Sequence, residues 1–104
     1  MSHGIHAGDI ETSLMLHFRP DLVDMTKAKL FPSKAAEKEK GYKHLRPADQ
    51  HGFGWIAQDI NPDGAVGDAS AATAEKGRLT AEHQADGFIA LLRDVARFPL
   101  SELA

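Results

Sequence analysis

The chain has 104 residues, 42% hydrophobic and 26% charged, with a formal net charge of −3 from 12 basic and 15 acidic side chains. That composition fits one small globular domain, or a part of a larger one. No basic stripe stands out, which argues against nucleic acid as a partner. The absence of cysteine excludes disulfides, thiolate metal sites and a cysteine nucleophile.

The opening Met1-Ser2-His3-Gly4 lacks the basic and apolar regions of a signal peptide, and no apolar run is long enough to span a membrane. A cytoplasmic protein without membrane contact is expected. The first predicted element is a helix from about Asp9 to Phe18, started by Gly8 or Asp9 and stopped at Arg19-Pro20, because the residue before proline is pushed out of the α region. Its periodicity places Ile10, Leu14 and His17 on one face, with Glu11 and Met15 beside them. A further turn is expected over Asp21 to Met25, anchored by Leu22, Val23 and Met25. From Thr26 to Gln50 the chain is lysine-rich and interrupted by Pro32, Gly41 and Pro47. Lys34 to Lys40 has helical propensity but no apolar stripe to bury, so the stretch reads as a long solvated loop.

Trp55 to Asp59 reads as a short strand, with aromatic and β-branched residues between glycines. Asn61-Pro62-Asp63-Gly64 is a turn, since proline fixes φ and glycine accepts a positive φ. The longest element is a helix over about residues 69–98, capped by Asp68 or Ser70 and unbroken before Pro99. Ala74, Gly77, Ala81, Ala85, Phe88, Leu92 and Val95 recur at intervals of three and four and form one stripe expected to be buried. Its small first half predicts close backbone packing, and its large second half a conventional core. Two helices and a short strand cannot cover that stripe alone, so self-association or a larger fold is expected.

The chemistry-bearing stretch is His6-Ala7-Gly8-Asp9-Ile10-Glu11-Thr12-Ser13. Glu11 falls in the first helical turn, where the helix dipole favours its ionised form. His6 lies one short turn away, and a histidine and a carboxylate delivered together can act as an acid/base pair. The same residues also serve plain helix-start chemistry, with Glu11 answering the dipole, Thr12 and Ser13 as ordinary first-turn residues and His6 in a loop. Asp49-Gln50-His51-Gly52 with Asp59 imitates a carboxylate-x-His-Gly metal motif suited to zinc or manganese. It follows Leu45-Arg46-Pro47-Ala48 as an isolated pattern, and is read as a decoy. His3, His6 and Asp9 form only a weak adventitious set. His17, His44 and His83 read as surface or packing residues, and Trp55 as a core or interface anchor.

Two segments resemble one family. His6 to Leu16, followed by Arg19-Pro20-Asp21-Leu22-Val23, looks like the His-x-Gly-x-x-Glu-Thr-Ser segment of the creatininase (creatinine amidohydrolase) family. Gly64 to Gly77, with Ala72-Thr73-Ala74-Glu75-Lys76-Gly77 at its end, resembles the segment that opens that family's last helix. Their order and spacing agree with the family, over its C-terminal part only. The resemblance implies an α/β fold, the C-terminal part of a layered αβα architecture: a motif helix over 1–25, a loop over 26–52, a short strand and turn over 53–68 and a long helix over 69–98. It further implies hydrolysis of a cyclic or linear amide C–N bond at a dinuclear divalent metal site, zinc or manganese, whose ligands fall mainly in family segments that this chain does not contain. His6 matches a family histidine near the substrate, and Glu11 a family motif carboxylate. The tryptophan position just upstream of that histidine finds only Ser2 and His3 here.

Three readings follow. The chain is the C-terminal part of a metal-dependent amidohydrolase, inactive until the N-terminal half or a homo-oligomeric partner completes it. Alternatively, it is a non-catalytic, oligomerising or partner-binding relative. A late start or split gene is the third, since Met1 stands only five residues before His6. The presence or absence of a complete metal-ligand set separates the first two.

Overall fold

The computed structural model describes residues 4–48 and 50–103. His3 and Asp49 of the metal patterns above, and Ser2, lie outside them. Among the described residues the order is α1 (Asp9–Phe18), β1 (Leu30–Phe31), α2 (Ala35–Gly41), α3 (Ala57–Ile60), β2 (Gly67–Asp68) and α4 (Ala74–Arg97). Short 3₁₀ turns at Pro20–Leu22, Met25–Lys27, Ala69–Ala71 and Leu100–Glu102 join them. It is a mixed helix–strand fold with one small sheet, as expected of a fragment of an α/β architecture.

The first helix takes its predicted bounds. Gly8 is its N-cap, and the chain leaves the helix at Arg19, ahead of Pro20. The side it buries differs from the periodicity reading. Ser13 is 1% exposed, whereas Ile10 and Met15 are open to solvent. The reason is the partner: α1 packs on the N-terminal turns of α4, and what it meets there is a glycine. A Cβ on Gly77 would lie 1.9 Å from the Ser13 carbonyl oxygen and 2.9 Å from His17 Cβ. Only small residues tolerate two helices this close, and serine fills the gap that a leucine would overfill.

Three further expectations are corrected. The lysine-rich stretch is not a plain loop: it contains β1 and the two-turn helix α2, which buries Ala35. Trp55 to Asp59 is not a strand, because Ala57–Ile60 forms a single helical turn whose start is capped by the Asp59 carboxylate accepting from Ile56 N–H at 3.0 Å. The sheet is instead β1 against β2, antiparallel, with Leu30 opposite Asp68 and Phe31 opposite Gly67. The long helix starts later than expected, at Ala74, with Thr73 as N-cap; its hydroxyl accepts from Lys76 N–H at 3.2 Å. Asp68 caps the preceding 3₁₀ turn, accepting from Ser70 N–H at 3.1 Å.

The core is small: Ile60 and Val66 are fully buried, with Ala35, Ala69 and Ala72 around them. Buried Asn61 ties the predicted Asn61-to-Gly64 turn to it, donating to the Pro32 carbonyl at 2.9 Å and accepting from Asp63 N–H at 2.9 Å. Gly64 takes the positive φ of 73° that the turn requires. The stripe of α4 divides as its composition foretold at the N-terminal half only. Gly77 is buried, but Phe88, Leu92 and Val95 are exposed, as are Leu91, Phe98 and Leu100. Leu22 is exposed as well, so it does not anchor its turn in this chain.

The Gly77 contact yields a signed prediction. In an open helix, glycine to alanine stabilises by about 0.5–1 kcal/mol, and Gly87→Ala should do so, because nothing lies within 4 Å of its would-be Cβ. Gly77→Ala should instead lose about 1–3 kcal/mol through overpacking against Ser13. Paired urea melts of the two variants check the opposite signs.

Candidate active site

The loop before α1 is fastened to the chain beyond the turn. Ile5 and His6 N–H groups both donate to the Val66 carbonyl, at 2.9 and 3.2 Å, and Val66 N–H donates to the His6 carbonyl at 2.7 Å. His6 thus forms an antiparallel bridge with Val66, immediately before β2. The approach is close enough that three glycines meet. A Cβ on Gly67 would lie 2.7 Å from Gly8 Cα and 3.3 Å from Gly4 Cα, and Gly67 holds a φ of 143°. Ala7, between His6 and Gly8, has a φ of 54°. This left-handed conformation costs an alanine about 1–2 kcal/mol. Such outliers persist where the surroundings over-determine them, and here the bridge on one side and the helix start on the other do so.

The two sequence-predicted site residues are therefore close in the chain but differently employed. The His6 imidazole is exposed, and its ring neighbour is Trp55, at 5.9 Å between centroids with the planes tilted by 55°. Glu11 turns back to its own helix start, where its Oε2 accepts from Gly8 N–H at 3.1 Å. No hydrogen bond joins His6 to Glu11 among the described residues. Glu11 acts here as a first-turn cap, favoured by the helix dipole.

Residues given no special role by their type alone turn out to link the two segments. Ser13 Oγ donates to Asp9 Oδ1 at 3.1 Å and accepts from Thr73 N–H at 3.1 Å. Lys76 Nζ donates to Asp9 Oδ2 at 2.9 Å and to the Ala71 carbonyl at 2.7 Å. The Asp9 side chain is only 13% exposed, so this ion pair is partly withdrawn from solvent. A cleft of about 260 Å³ lies over the pair, lined also by Ile10, Leu79 and Thr80; His6 does not line it. The carboxylate of the second segment is occupied too. Glu75 takes two hydrogen bonds from Arg78, at 2.9 and 2.6 Å, which hold its carboxyl below the usual range. The i,i+4 spacing of Asp9 and Ser13 was a visible signal that these two share a face; the partners 60 and 67 residues away were not visible.

The decoy pattern stays dispersed. His51 lies against His44, with ring centroids 6.1 Å apart, and Asp59 is committed to Ile56 N–H. Among the described residues no three of histidine, aspartate and glutamate converge to hold a metal ion. The described donors therefore do not fit a divalent ion by themselves. What remains chemically available at this site is the exposed His6 imidazole, on a backbone pinned by the bridge to Val66.

A family model described as creatinine amidohydrolase matches residues 1–92. Among solved structures, the chain is similar to a protein from Bacteroides fragilis NCTC 9343 provisionally described as a creatinine amidohydrolase. The two are 29% identical, with a TM-score of 0.67 over 94% of this chain and 37% of that one. This chain thus spans well under half the length of that relative. No curated protein matches.

Ser13 is the test of how the two segments are joined. Ser13→Ala leaves the part-buried Thr73 N–H without its acceptor and removes the bond to Asp9, and should cost about 0.5–1.5 kcal/mol. Ile10→Ala, on the exposed side of the same helix, should stay within about 0.5 kcal/mol of the parent. Thermal melts of both variants check the contrast.

Proposed function

The chain belongs to the creatininase family, and from that premise we propose that it carries the histidine-bearing C-terminal part of an amidohydrolase acting on a cyclic or linear amide C–N bond. The observation supporting this most directly is the His6 loop. A family-matched histidine is held by three backbone hydrogen bonds around Val66 while its imidazole stays exposed. In this reading His6 exchanges a proton with the departing nitrogen, or stabilises the oxyanion formed when water attacks the carbonyl carbon. The family's divalent metal, zinc or manganese, would supply the activated water. We assign its ligands to the remainder of the fold, outside this chain. Glu11 is given a supporting role: by capping Gly8 it fixes the turn that presents His6.

The reading also requires a cover for α4. The radius of gyration is 17.8 Å, against about 13 Å for a compact domain of 100 residues. The accessible surface is 7661 Å², against about 5,700 Å² for a compact monomer of this mass. We propose that the N-terminal part of the fold, or a further copy of the chain, covers the exposed stripe. A non-catalytic oligomerising unit is the second reading, favoured by the same stripe and by the absence of a metal-ligand cluster among the described residues.

Alone, the chain should show no turnover, weak binding of zinc and manganese, and self-association in sedimentation. Stoichiometric tight binding of two metal ions, or a monodisperse monomer with a sharp melt, contradicts this. Co-expressed with the N-terminal part of the fold and assayed on a panel of small cyclic and linear amides, His6→Ala should lower turnover by about 10²–10⁴. Its metal content and melting temperature should not change. Glu11→Gln should mainly reduce stability, by about 0.3–1 kcal/mol. Full turnover in His6→Ala favours the non-catalytic reading.

A further inference from the structure

An imidazole that moves protons has to be held in one orientation, and among the described residues nothing polar holds that of His6. Glu11 is spent on Gly8 N–H, and Asp9 on Ser13 and Lys76. Among the described residues no hydrogen bond reaches either ring nitrogen. The ring contact of His6 is with Trp55, 49 positions along the chain.

Trp55 is well placed to orient a neighbour because it is itself fixed. It is half-buried, and its indole N–H donates to the Pro47 carbonyl at 2.5 Å. The loop carrying Pro47 is closed by Arg46 N–H donating to the His51 carbonyl at 3.3 Å, and by a parallel bridge between Arg46 and Gly52. The Arg46 guanidinium fastens the loop to the end of α2, donating to the Tyr42 and Leu45 carbonyls at 2.7 and 2.9 Å. The described residues between Tyr42 and Trp55 thus form a braced arm with the indole at its end, beside the imidazole. Tilted aromatic pairs with centroids 4.5–7 Å apart are in the attractive range.

We propose that Trp55 is the positioning residue for His6, setting the imidazole orientation by ring contact where a carboxylate would otherwise do so by hydrogen bond. Its role in turnover rests on the amidohydrolase reading; the contact itself does not.

Trp55 is the single tryptophan, so emission from the full chain reports this one place. A protonated imidazole in contact with an indole quenches its fluorescence. Acidification through the range in which histidine takes up a proton should give one stepwise loss of emission. His6→Gln should abolish that step, whereas His44→Gln and His51→Gln should leave it intact. In proton NMR, the His6 ring resonances should be displaced by the indole ring current in the parent and relax to free-histidine positions in Trp55→Phe or Trp55→Ala, more fully in the latter. A step that survives His6→Gln, or His6 resonances that ignore both Trp55 variants, overturns the proposal without needing a Trp55 variant to be active.

In the co-expressed enzyme, Trp55→Ala should lower turnover about two- to tenfold, the equilibrium worth of one aromatic pair, with KM unchanged and with partial recovery in Trp55→Phe. A change in melting temperature with unaltered turnover makes Trp55 a packing anchor only, and also overturns the proposal. If the parent enzyme shows no turnover on any amide, the amidohydrolase reading fails, while the emission step and the His6 resonances still decide whether the indole holds the imidazole.

Discussion

The contact on which the rest of the structure depends is that of Gly77 with the backbone of Ser13. With 1.9 Å between a would-be Cβ and a carbonyl oxygen, the two helices touch main chain to side of main chain, and no other residue type fits at position 77. That closeness brings Asp9 within reach of Lys76 and Ser13 Oγ within reach of Thr73 N–H. Each of these bonds would be lost if the helices stood a side chain further apart. The glycine therefore does more than relieve a clash. It sets the distance at which a partly buried ion pair and a long-range helix cap can form, and through them it fixes how α1 lies against α4.

Where α1 begins decides where His6 lies. Gly8 caps the helix and also packs on Gly67, while His6 pairs with Val66 one residue earlier. Between these two anchors Ala7 has no freedom left and takes a positive φ. The strain is local and is offset by the bonds at either end. A histidine in such a place has a fixed backbone and a free side chain, and its orientation is left to whatever lies beside the ring. In this chain that neighbour is delivered from a braced loop far along the sequence, so the loop that looked like a solvated excursion has a structural purpose.

How much of this was legible depended on the range of the determining interaction. The bounds of α1, set by Gly8 and Pro20, and the Asn61-to-Gly64 turn follow from local backbone chemistry, and both stand as read. The family was legible because two short segments carry it. The sheet was not, since strands of two residues have no alternation to read and exist only because Leu30–Phe31 and Gly67–Asp68 meet across 35 intervening positions. The cap of α4 was assigned too early because Asp68, Ser70 and Thr73 are all good caps; a 3₁₀ turn takes the first of them and leaves Thr73 for the helix. Ser13 was passed over because nothing in its own neighbourhood announces a partner 60 residues away.

The exposed half of α4 has the same kind of explanation. Its 3.6-residue period correctly marks an amphipathic helix, but periodicity states only that one face is apolar and not that the cover is at hand. A 24-residue helix extends about 36 Å, whereas the ten residues of α1 reach about 15 Å. The shorter helix can shield only the first turns, and those are the turns whose stripe is glycine and alanine. Beyond Ala85 the stripe changes to Phe88, Leu92 and Val95, side chains that would hold a partner at ordinary helix-packing distance of about 8–10 Å. The switch from small to large along one face thus marks the place where α1 ends as a neighbour of α4.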